Sequence, residues 1–104
     1  WTLKQSSAAP LEKDIQSRIM TYLRSIPGAF AWKAHAGGIY ATGGIPDVLC
    51  VYKGKLFAFE VKRPGRKPTA LQEATISKLC AAGAVAKVVT SLDDVKQVIA
   101  AADG

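Results

Sequence analysis

One segment of the chain, residues 45–62 with the sequence IPDVLCVYKGKLFAFEVK, constrains the fold more than any other. It contains two short apolar runs separated by Lys53-Gly54, where a glycine suits the tight turn of a β-hairpin. Neither run alternates cleanly between apolar and polar residues, which predicts central strands covered by helices on both faces. A chain with this segment is therefore expected to build its core around a sheet.

The other elements follow from apolar spacing and from residues that begin or end helices. Helical spacing over 11–26, a short strand over 30–34, a second helix over 70–82, a strand over 85–89 and a last helix over 92–101 complete the pattern. Thr69 and Ser91 are N-caps, and Gly83 ends the second helix. The sequence therefore predicts one α/β domain over 10–104 in the order αβββαβα, with a mixed central sheet flanked by helices and a flexible lead at 1–9.

The charge of the chain is positive and unevenly distributed. The 104 residues carry a formal charge of +6, and six of the basic residues lie close together: Lys53, Lys55, Lys62, Arg63, Arg66 and Lys67. Such clustering favours a polyanionic partner, although a solvated basic loop would have the same composition. No apolar run approaches the roughly 18 residues of a membrane span, so we expect a soluble, cytoplasmic protein with no membrane partner.

Three charged residues lie at one end of the predicted hairpin. A turn centred on Lys53-Gly54 places Asp47 opposite Glu60, and Lys62 shares a face with Glu60 because side chains alternate along a strand. Two opposed carboxylates repel each other unless a cation lies between them. Lys62 supplies part of that charge, and a divalent metal would supply the rest. Oxygen ligands, including the main-chain carbonyl of Val61, suit Mg²⁺, with Mn²⁺ as a substitute.

Two helical residues are candidates for the same site. Glu12 lies on the helix face of Ile15 and Ile19, which indicates either a third acid or an ordinary first-turn acid favoured by the helix dipole. Gln72 lies on the face of Ile76 and could reach a phosphate or an attacking water molecule, but an ordinary amide near a helix start is the simpler interpretation. The residue pattern alone leaves both alternatives open.

The glycine-rich loop over 35–44 lacks the spacing of nucleotide-binding loops. Its expected role is a close approach of the backbone to the site or to a DNA strand, with Gly44 leading towards Asp47. His35, the only histidine, is interpreted as a structural residue of the loop or core, with a DNA contact as the alternative. Ile39 and Tyr40 are candidates for a dimer surface.

Pro46-Asp47, a twelve-residue gap and then Glu60-Val61-Lys62 resemble the PD-(D/E)xK nuclease signature. With a glycine before the first motif, Glu12 upstream, Gln72 downstream and the predicted element order, the chain resembles the VRR-NUC branch over about residues 11–99. The resemblance implies a restriction-endonuclease-like core. It also implies a catalytic Lys62, a functional glutamine at Gln72, and four metal ligands: Glu12, Asp47, Glu60 and the carbonyl of Val61.

The same resemblance implies a Mg²⁺-dependent, structure-selective DNA endonuclease of a bacterial cell or phage-infected host, acting as a homodimer on four-way (Holliday) junctions. Its expected DNA contacts are Arg63, Arg66, Lys67 and Gly44. A dimer also offers more of the surface that DNA binding requires. The alternatives are a noncatalytic nucleic-acid-binding module of the same fold and a flap or restriction-type nuclease. The paired acids argue against a pure binder, because they would face a phosphate backbone.

Overall fold

The structure is a computed structural model that describes residues 10–34 and 43–104. Its elements are α1 (Glu12–Arg24), β1 (Phe30–Lys33), β2 (Val48–Tyr52), β3 (Lys55–Val61), α2 (Ala70–Ala81), β4 (Val85–Val89) and α3 (Leu92–Asp103). The predicted order αβββαβα is confirmed. The predicted lead at 1–9, His35 and the dimer candidates Ile39 and Tyr40 lie outside the described residues.

The four strands form one mixed sheet in the order β1-β2-β3-β4. β2 pairs antiparallel with both β1 and β3, whereas β3 and β4 are parallel. A parallel pair needs a crossover connection, and α2 supplies it between β3 and β4. The beginning of β2 and the ends of β3 and β4 therefore meet at one end of the sheet.

The turn between β2 and β3 sets the register of the hairpin. Lys53 and Gly54 both have positive φ angles, 52° and 74°, as the central pair of a type I′ turn does. The turn leaves Tyr52 paired with Lys55 and continues to Val48 paired with Phe59. This is the register predicted from the sequence, and its continuation by one pair brings Asp47 opposite Glu60.

The main core lies on one face of the sheet. α1 and α3 pack side by side on this face, and alternate residues of the strands point towards them. The core side chains come from the helices (Ile15, Ile19, Met20, Leu23, Val95, Ile99) and from the strands (Ala31, Val48, Cys50, Tyr52, Phe57, Phe59, Val61, Val89). Because side chains alternate along β3, Glu60 points to the opposite face.

The opposite face is covered unevenly, which corrects one prediction. α2 packs on this face, chiefly against β4, while the part formed by β1 and β2 is open to solvent. Phe30 and Val51, which are paired across these strands, are 68% and 40% exposed. The prediction that helices cover both faces of both hairpin strands is therefore wrong for β2. On the same face, the ring of Trp32 lies 5.5 Å from that of Phe30 at a tilt of 36°, and Trp32 is half-buried.

The helices of the described ranges 10–34 and 43–104 are all too short or too polar to cross a membrane.

Candidate active site

Asp47 is held at the end of the sheet by its neighbours on both sides. It directly precedes β2, and its main-chain carbonyl accepts a hydrogen bond from the N–H of Ala34 at 2.9 Å. Its side-chain Oδ2 accepts a second hydrogen bond from the N–H of Val61, also at 2.9 Å. The carboxylate of Asp47 is therefore tied to the end of β3, beside Glu60.

Glu60 is a buried acid, with 1% of its surface exposed. Its Oε2 atom accepts a hydrogen bond from Nε2 of Gln72 at 3.3 Å and lies 3.7 Å from the ammonium nitrogen of Lys62. Its other oxygen, Oε1, is buried without a hydrogen-bond partner. Buried polar atoms are rarely left in this state, because each unsatisfied one is costly. An oxygen in this position is satisfied either by a proton shared with the carboxylate of Asp47 or by a cation.

The electrostatic environment of Glu60 favours a cation. Burial, followed by the hydrogen bond and the charge of Asp47, raises the pKa of Glu60 from 4.5 to about 8, and Lys62 opposes this change. Two acids therefore share a site that Lys62 neutralises only in part. Without a further cation, a proton occupies Glu60 at neutral pH.

The donor atoms fit a hard divalent cation. Asp47 and Glu60 contribute carboxylates next to each other, one with a buried and unsatisfied oxygen. Mg²⁺ is commonly bound through one or two carboxylates, with water completing the octahedron. The residues present are therefore compatible with such an ion.

Glu12 is not brought into this cluster. It is the first residue of α1 and is half-buried, and within residues 10–34 and 43–104 no three His, Cys, Asp or Glu side chains are grouped so that they could hold a metal. The buried residues of α1 face the core, on the side of the sheet opposite to the side chain of Glu60. The sequence pattern showed that Glu12 shares a helix face with core residues, but not on which face of the sheet α1 would pack.

Gln72 serves two partners at once. Its Oε1 accepts a hydrogen bond from the N–H of Thr69 at 2.9 Å, and the hydroxyl of Thr69 accepts one from the N–H of Gln72 at 3.1 Å. This pair is a capping box at the start of α2. Since Oε1 is engaged by Thr69, Nε2 is directed to Glu60. Gln72 is thus an amide at a helix start, as one interpretation had it, and it also contacts Glu60; its reach to a phosphate or a water molecule stays a prediction.

The basic residues form two groups rather than one. Lys62 and Arg63 are half-buried beside the acids, and Arg66 and Lys67 are exposed in the loop that leads to α2. Lys53 and Lys55 lie at the turn, at the other end of a strand that is about 20 Å long at roughly 3.3 Å per residue. The single basic cluster seen in the sequence is therefore divided by the length of β3.

Sequence reasoning missed one residue beside the site, Thr75. It is 7% exposed, and its hydroxyl donates a hydrogen bond to the carbonyl of Gly43 at 3.0 Å. Gly44 passes so close to α2 that a Cβ would lie 2.6 Å from the carbonyl oxygen of Leu71. The available signal was the i, i+3 spacing from Gln72, which puts Thr75 on the same face of α2.

Comparisons with known proteins identify similar structures. No protein-family model matches the chain, and a search of curated proteins finds no significant sequence match. A solved structure titled "VRR_NUC domain protein" superposes with a TM-score of 0.72 and 20% identity, over 88% of this chain and 87% of the other. A second, titled "VRR_NUC domain", gives a TM-score of 0.70 and 26% identity, over 85% and 92%.

Proposed function

The chain has the fold of VRR-NUC nuclease domains, as its sequence motif predicts, and on this premise we propose that it is a divalent-metal-dependent DNA endonuclease. The observation that carries this proposal is the buried, unsatisfied Oε1 of Glu60 next to the carboxylate of Asp47. A binding module has no use for two adjacent acids at a surface that receives a phosphate backbone. A hydrolase that holds Mg²⁺ or Mn²⁺ needs such a pair.

Asp47 and Glu60 would hold the ion, together with the main-chain carbonyl of Val61. The bound ion would lower the pKa of a water molecule and offset the charge that develops on the leaving oxygen. Glu12 remains a predicted further ligand, but the arrangement of the two acids does not depend on it.

Lys62 and Gln72 complete the proposed site. The side chain of Lys62 is 14% exposed and its ammonium group lies beside Glu60, so it can reach a scissile phosphate while staying close to the acids. There it would orient the attacking water or stabilise the negative charge of the transition state. The hydrogen bond from Gln72 orients Glu60.

The DNA would approach over the loop that follows β3. Arg63, Arg66 and Lys67 belong to the loop that connects β3 to α2, from which they would contact phosphates on either side of the cleaved bond. We propose branched DNA as the substrate, in particular a four-way junction. We also propose a homodimer, because two symmetry-related sites can cut both strands of such a junction.

The test is cleavage of labelled DNA. Purified protein is incubated with a four-way junction, a flap and a linear duplex of matched sequence, with Mg²⁺, with Mn²⁺ or with EDTA. We expect cleavage only with metal, and a loss of at least about a hundredfold in Asp47→Asn and Lys62→Ala. Matched controls are Asp93→Asn and Lys96→Ala on α3, which should cleave as the wild type does.

The results separate the alternatives. Binding of DNA without cleavage under either metal would contradict the proposal and favour a noncatalytic module. Cleavage that survives in Asp47→Asn would refute the assignment of the site. Equal cleavage of all three DNA forms would contradict the preference for junctions, and sedimentation of a monomer at working concentration would contradict the dimer.

A further inference from the structure

We propose that Thr75 is a positioning residue for the carboxylates of this site, through which α2 sets their mutual placement; this inference rests on the proposed function. The hydroxyl of Thr75 donates to the carbonyl of Gly43 rather than to either acid. It acts through the backbone that leads to Asp47, while Gln72, one helical turn away on the same face, acts on Glu60 directly.

The contact of Thr75 with the loop is close, and Thr75 itself is buried. Its hydroxyl donates to the carbonyl of Gly43 at 3.0 Å, and a Cβ on Gly44 would meet this hydroxyl at 2.7 Å. Gly44 has a φ of 77°, a conformation that L side chains rarely adopt. The backbone at Gly44 therefore lies directly against α2, in a conformation that glycine adopts readily and other residues do not.

A short and stiff segment transmits this contact to the acid. Only Ile45 and Pro46 separate Gly44 from Asp47, and Pro46 is almost completely buried, with its φ restricted by the ring. A shift of the loop relative to α2 therefore moves Asp47. The first bond to change would be that between Oδ2 of Asp47 and the N–H of Val61.

The second acid depends on the same helix. Gln72 binds Glu60 through Nε2 while its Oε1 stays on Thr69. Residues three apart on a helix lie on one side, so Gln72 and Thr75 present one surface to the site. Because α2 holds both acids from that surface, it determines how far apart their oxygens lie when a cation binds.

The experiment compares Thr75→Val, which removes the hydroxyl at nearly constant volume, with Thr75→Ser, which keeps it. Amide hydrogen exchange is measured in EDTA, and Mn²⁺ affinity is measured by calorimetry. In Thr75→Val we expect the N–H of Val61 to exchange about tenfold faster relative to that of Phe57 in the same strand. Mn²⁺ binding should weaken by about tenfold or more. Thr75→Ser should restore both.

Each outcome is decisive. Equal acceleration at Val61 and Phe57 would show a purely structural role for Thr75 and overturn the inference, as would Mn²⁺ binding by Thr75→Val at wild-type affinity. If Thr75→Val does not fold, Thr75→Ala is used for the same comparison. A wild-type chain that binds no Mn²⁺, with selective exchange at Val61 in the variant, would refute the proposed metal site but support the positioning role.

Discussion

Removing the charge of Glu60 should make the metal-free protein more stable. The carboxylate is buried with one oxygen unsatisfied, and its pKa in the folded state is raised from 4.5 to about 8. Between pH 4.5 and about pH 8, the folded protein therefore keeps a proton on Glu60 that the unfolded chain has already released. The stability that this proton contributes is fully present below this pH range and is lost as pH rises through it. Glu60→Gln removes the titrating group and keeps the shape of the side chain.

The size of the effect follows from the two pKa values. At about 1.4 kcal/mol per pH unit, the interval from 4.5 to about 8 corresponds to a ceiling of about 5 kcal/mol for the wild type. Local relaxation reduces the penalty for a buried charge. We therefore expect Glu60→Gln to exceed the wild type by about 2 to 5 kcal/mol at pH 8.5 and to equal it near pH 4.5.

The assay is urea denaturation in EDTA across this pH range, with the free energy of unfolding obtained by linear extrapolation. The matched control is Glu73→Gln, an exposed acid on α2, which should follow the wild-type curve. Added Mg²⁺ should stabilise the wild type at pH 8.5 but not Glu60→Gln, because the ion offsets the charge of the buried carboxylate that Gln lacks. If the free energy of unfolding changed with pH in the same way in the wild type and in Glu60→Gln, the reasoning would be refuted, because Glu60 would then not be the titrating group.

Further predictions concern the loop, the helix cap and the DNA contacts. Gly44→Ala should lower the free energy of unfolding by about 1 to 3 kcal/mol more than Gly28→Ala, since both have positive φ but only Gly44 has α2 against it; equal losses in chemical denaturation would contradict the clash. Thr69→Ala should lower the free energy of unfolding by about 1 kcal/mol in the same assay, and Thr69→Ser should lower it hardly at all. Equal losses in the two variants would show that the hydroxyl of Thr69 does not stabilise the helix as a cap. Arg66→Ala and Lys67→Ala should each weaken DNA binding and reduce the salt slope of log K by about 1, and an unchanged slope in fluorescence anisotropy would remove that residue from the interface.

Local sequence rules were enough to predict the helices and strands and the pairing of residues in the hairpin. The turn at Lys53-Gly54 and the strict alternation of side chains specify which residues of β2 and β3 are paired, since both act over only a few neighbours. Thr69 as an N-cap and the end of α2 before Gly83 were predictable for the same reason. The opposition of Asp47 and Glu60 could thus be derived before any coordinates were known.

The packing of α2 and α1 could not be derived in this way. The contact of Thr75 with Gly43 and the uncovered side of β2 at Val51 depend on where α2 lies across the sheet. Whether Glu12 joins the two acids depends in the same way on where α1 lies, and among the described residues no three such side chains are grouped. These placements join residues that are distant along the chain, and helical periodicity specifies which face of a helix is buried but not the partner that buries it. The paired acids are therefore a property of the hairpin, whereas their unsatisfied oxygen and their support from α2 are properties of the assembled domain.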